Sequence, residues 1–97
     1  MSNPLIPSTQ PPPPLVSAQI RAARALIRWS AEDLARASAV GLTTIRRAEL
    51  TDAETSLTAA NDRAIRRALE EVGIEFIGAP ADRPGVRLGE PEAPKRR

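Results

Sequence analysis

Between Val16 and Leu50 the apolar positions recur with a helical period that breaks twice. Ile20, Ala23 and Ile27 stand at i, i+3 and i+7, with Val16 and Leu26 beside them and Arg21, Arg24 and Arg28 around the stripe. The spacing predicts a first helix opening at Ser17, a residue suited to an N-cap. Ile20, three residues on, offers no capping-box partner. A second helix is predicted from Ser30, where Asp33 supplies a shortened capping box. Leu34, Ala35 and Ser38 form its inner side, and Ala35, Ala37 and Ala39 are small enough for close helix contact. Val40-Gly41 then interrupts the pattern, and Gly41 or the residue beside it is expected to absorb a sharp turn. A short third helix follows over Leu42–Leu50, with Ile45 and Ala48 inward and Thr43, Thr44, Arg46 and Arg47 projecting elsewhere.

Thr51–Leu57 reads as a polar connection. A fourth helix is predicted from Thr58, its cap, to Val72, with Ala64, Ile65, Ala68, Leu69 and Val72 as the apolar stripe and Gly73 as terminator. The period then changes to two. Ile74 and Phe76 share one face of a short strand, with Glu75 and Ile77 on the other. Gly78–Pro84 reads as a turn-rich loop and Gly85–Leu88 as a returning strand. Two strands this short must lie on the helices or pair with a second chain. The expected fold class is mainly α: a four-helix helix-turn-helix domain with a short C-terminal two-stranded β element.

Composition places the borders of that domain. Six of the ten prolines lie in residues 1–14, and residues 89–97 hold two more and no apolar run. Neither tail can bury enough apolar surface to offset the entropy of ordering it, so both are expected to be disordered, leaving residues 15–88 to fold. A core of that size is small, and a dimer would widen its stability margin.

The chain has no Cys and no His, which excludes a disulfide scaffold and leaves only carboxylates as metal ligands. No metal or cofactor is expected. With no Tyr either, and no Gly-rich phosphate loop after a strand, an enzyme is not expected. No stretch reaches the length of a membrane-spanning helix, and the N-terminus lacks the basic and apolar regions of a signal peptide, so a cytoplasmic location is expected.

Charge is uneven. Residues 20–47 hold six arginines and two acids, whereas residues 48–62 hold four acids and no base. Thirteen of the fourteen cations are Arg, whose planar fork suits phosphate and guanine edges better than Lys does. Two short helices joined by a tight turn, the second carrying outward polar and basic groups, is a geometry that enters a major groove.

Here the chain resembles a known family. AARALIRWSAEDLARASAV, TTIRRAE, AIRRALEEVGIEFI and PGVRL look like the phage-repressor and xenobiotic-response-element (XRE) class of helix-turn-helix regulators, in its very small members. The resemblance implies sequence-specific binding to a double-stranded DNA operator as a homodimer, bound at the nucleoid. It implies that Leu42, Thr43 and Arg47 face base edges, and that Thr44 and Arg46 meet phosphate or flanking bases. It also implies that Ser30 and Ala31 bring backbone amides to a phosphate, and that Arg24 and Glu49 form a structural salt bridge. Leu42 suits either a thymine methyl or a partner-binding apolar patch. Trp29 is expected to pack between the first two helices. Arg66 and Arg67 are expected on a solvated face of the fourth helix or at a dimer seam.

The chain departs from the family at three places. Ala39 occupies the turn position that is usually Gly. Ala48 is smaller than the usual Ile or Leu. Asp62 stands where a core Leu is normal, so the fourth helix is expected to be rotated or to start later, with Leu57 filling the gap. The alternative function is a protein-interaction module on the same scaffold, an anti-activator or antitoxin binding another regulator through Leu42 and its neighbours.

Overall fold

A computed structural model describes residues 12–89. The expectations for residues 1–11 and 90–97 lie outside the described residues. Within them the chain forms α1 (Ser17–Ile27), α2 (Ala31–Ser38), α3 (Leu42–Glu49), α4 (Ala59–Glu70), β1 (Ile74–Ala79) and β2 (Asp82–Leu88). Four helices and one two-stranded antiparallel sheet thus make up the fold.

Each helix end has a local cause. Val16, not Ser17, is the N-cap of α1. Valine has no acceptor, and Gln19 supplies one: its Oε1 accepts the Val16 amide at 3.0 Å. Ser17 is buried, and its hydroxyl donates to the Ala48 carbonyl. Arg28, at φ 59°, ends α1 in the left-handed region. Ser30 and Asp33 form the expected reciprocal box, with the Ser30 amide donating to Asp33 at 2.9 Å and the Asp33 amide to Ser30 at 3.0 Å. The sharp turn after α2 falls on Ala39 (φ 60°, ψ 24°). Gly41 is at φ −60° and takes no unusual conformation. Thr58 caps α4 by accepting the Asn61 amide at 3.1 Å.

The hairpin is longer than predicted. Pairing runs from Ile74↔Leu88 through Phe76↔Val86 to Ala79↔Asp82, with a bulge after Ile77. Residues read as a loop are therefore mostly strand. Gly78 makes this possible: its φ is 79°, and a Cβ there would lie 2.3 Å from the Arg83 carbonyl oxygen. Pro84 fits because a strand of a two-stranded sheet has a free edge for the residue without an amide proton.

The core joins Leu15, Ile20, Ala23, Leu34, Val40, Ile45, Ala48, Ile65, Ala68, Leu69 and Ile74, with Trp29, Leu57, Phe76 and Val86 packed around it. Burying one such Leu or Ile side chain contributes roughly 1.5–3 kcal/mol. Gln19 joins the hairpin to α1, donating from Nε2 to the carbonyls of Ile77 at 3.2 Å and Gly85 at 2.9 Å.

Two expectations about α4 are corrected. Asp62 is buried in an α4 that starts where its cap predicts, and its Oδ2 accepts the Leu15 amide at 2.9 Å. No rotation is needed, because the carboxylate has a backbone partner. Arg66 is not on a solvated face. Its guanidinium lies 5.1 Å from the centre of the Phe76 ring and donates to the Pro13 carbonyl at 2.7 Å.

Candidate nucleic-acid interface

α3 carries two kinds of position. Ile45 and Ala48 are buried, and Thr43, Arg46, Arg47 and Leu50 are exposed. The exposed four fall at i, i+3, i+4 and i+7, one stripe along the helix. Leu42 and Thr44 flank it, half-buried. Leu50, 81 % exposed, extends the stripe and was not singled out from the sequence. Its spacing from Thr43 and Arg47 was the available signal.

The opposite side of α3 is tied to α1 near its C-terminus. Arg24 and Glu49 make the expected pair in bidentate form, with Nε to Oε2 and Nη2 to Oε1 both 2.7 Å. The side chains are 22 % and 10 % exposed. Glu49 raises the Arg24 pKa, first through these hydrogen bonds and against the desolvation of burial. Arg24 also donates to the Trp29 carbonyl at 2.8 Å, joining the α1–α2 corner to the same node. Arg21, missed from the sequence, donates to the Glu49 carbonyl and to the Thr51 carbonyl at 3.3 Å. Cations at the negative end of a helix also complement its dipole. The Ser17 hydroxyl meets the Ala48 carbonyl and the Thr51 hydroxyl at the same end.

The N-terminus of α2 lies beside α3. The Ser30 amide and hydroxyl already serve Asp33. The amides of Ala31 and Glu32 belong to the first turn and have no acceptor within the helix. An anion at this end would therefore meet Ala31 and Glu32 before Ser30. Asp33 sits at the same end, and its pKa is lowered, chiefly by the Ser30 amide.

Four of the six arginines in residues 20–47 have partners within the chain. Arg21 holds the end of α3, Arg24 holds Glu49, Arg36 pairs with Asp33, and Arg46 reaches Glu32 at 3.2 Å. Arg28 and Arg47 make no ion pair among the described residues. Of the residues tied to DNA by resemblance, Thr43, Arg46 and Arg47 share the exposed stripe, Leu42 and Thr44 border it, and Ser30 and Ala31 lie at the start of α2.

No helix among the described residues is long and apolar enough to cross a membrane. No protein-family model matches the chain, and no curated protein matches it.

Proposed function

We propose that this chain is a small regulator of the XRE and phage-repressor helix-turn-helix class, which binds double-stranded DNA sequence-specifically as a cytoplasmic homodimer. In this reading α2 and α3 are the motif, and α3 enters the major groove. The observation that carries it is the division of α3: Thr43, Arg46 and Arg47 stand outward on a helix whose far side is anchored by Arg21 and Arg24. A helix with its side chains measures about 10–12 Å across, and the major groove is about 12 Å wide. Arg47, which makes no ion pair among the described residues, is the residue best placed for bidentate contact with guanine, and Thr43 and Leu42 precede it on the base-facing side. Thr44 and Arg46 face the backbone, as do the first amides of α2. A dimer reading two half-sites would place them one turn apart, ~34–36 Å. Ile77 and Leu88, 41 % and 49 % exposed on the hairpin, are the apolar residues available for its seam.

Selection of bound duplexes from a random library tests the reading. A consensus with two-fold symmetry is expected. Recovery of no sequence above background overturns it.

One observation favours a second reading. Leu50 is almost fully exposed, and the exposed acids Asp52 and Glu54 follow it. An exposed apolar residue followed in the chain by exposed acids suits a protein partner, as in an anti-activator or antitoxin. Mobility-shift assays with genomic fragments at two salt concentrations separate the readings, because phosphate contacts are salt-dependent. Absence of binding at both supports the protein-binding module.

A further inference from the structure

Arg46 and Glu32 join α3 to the start of α2 through Nη2 and Oε2 at 3.2 Å. Their side chains are 59 % and 52 % exposed, so the pair contributes little to stability. It lies on the surface that the duplex-binding reading assigns to DNA. A phosphate approaching Arg46 meets a guanidinium with a carboxylate 3.2 Å from it. A duplex binding there must separate the pair, or seat its phosphates where the carboxylate does not oppose them.

We propose, resting on the duplex-binding reading, that Glu32 is a specificity-determining residue that suppresses attachment to arbitrary DNA by occupying Arg46. Non-specific binding comes almost wholly from phosphate contacts, whereas a specific site adds contacts to base edges. A carboxylate beside Arg46 therefore weakens most those complexes that have phosphate contacts alone. A specific complex, docked on base edges by Thr43 and Arg47, seats its phosphates away from Glu32 and loses less, so the ratio between specific and non-specific binding rises. Arg36, the one cation within α2, pairs with Asp33 in the same way, so α2 itself carries no unpaired cation among the described residues. Glu32 positions Arg46 and is not itself assigned a contact with a base.

The test is Glu32→Gln in the full chain, measured on the duplex recovered by selection and on a scrambled duplex, across a salt series. The variant removes one anion and frees one cation. Affinity for the scrambled duplex is expected to rise about tenfold at low salt, with the salt slope steeper by roughly one to two. Affinity for the selected duplex is expected to rise less than threefold. In an Arg46→Gln background the same change is expected to act only weakly, which isolates the pair from general charge. Equal gains on both duplexes, or no change on either, overturn the role of Glu32 while leaving duplex binding intact. Failure of the unmodified chain to bind any duplex overturns both readings. Unchanged melting of Glu32→Gln shows that the variant is folded.

Discussion

The carboxylate of Asp62 accepts the backbone amide of Leu15 at 2.9 Å, across 47 positions of chain. It fixes the segment leading into α1 against the first turn of α4. Removing the acceptor leaves a buried amide unpaired, which costs more than the bond itself gains. Asp62→Ala is expected to lose about 2 kcal/mol in urea unfolding, and Asp62→Asn, which keeps an acceptor, clearly less. Equal midpoints for the two variants would deny the bond its role.

This contact also shows where reading the sequence ends. Ser30 with Asp33, and Thr58 before α4, were legible because caps use neighbours three residues apart. The inward positions Ile20, Ala23, Ile45, Ala48, Ile65 and Leu69 followed from the period. Asp62 and Arg66 were misread because their partners, Leu15, Pro13 and Phe76, are distant in sequence. The first cap was misplaced because Val16 has no acceptor and a glutamine stands in for one. The second strand was cut short because Gly78 and Pro84 are local turn signals that here serve a bulge and a free strand edge. The outward residues of α3 were legible, and the internal partners of Arg46 on that helix and of Arg21 on α1 were not.

Ala39 adopts the left-handed region at φ 60°. A side chain with a Cβ is strained there, by about 1 kcal/mol. Ala39→Gly is expected to recover most of that, raising the melting temperature by about 4–8 °C for a domain of this size. A lower melting temperature would mean that the turn tolerates alanine without strain.

The Arg24–Glu49 pair is shielded on the Glu49 side, so breaking it from either end should be costly. Arg24→Ala and Glu49→Ala are each expected to lose about 2 kcal/mol, with the double variant losing much less than the sum. Strict additivity in that cycle would show that the two side chains act independently.

Asp33 makes folding depend on acid. The Ser30 amide, the Ser30 hydroxyl and Arg36 hold its carboxyl below the usual range. The folded value lies under the unfolded one, so ionised Asp33 favours the folded state. That contribution is complete above the unfolded value, near pH 4, and disappears as pH falls through the folded value. The melting difference between the native chain and Asp33→Asn should therefore be widest at neutral pH and close below about pH 4. A difference constant with pH would count against this account.

Arg47→Ala should erase the preference for the selected duplex, a loss of ~1–3 kcal/mol in discrimination. Stability should stay within about 0.5 kcal/mol of the parent, since Arg47 is exposed and makes no ion pair among the described residues. Retained discrimination would move base reading to another residue.

The anchoring of α3 has a consequence for change over time. Its tilt is set by Ile45, Ala48 and Glu49 and by the carbonyls that Ser17 and Arg21 hold. Positions 43 and 47 take no part in those ties. Under the duplex-binding reading, replacement there changes what the helix presents while those ties stay, so new targets are acquired one outward residue at a time on an unchanged mounting.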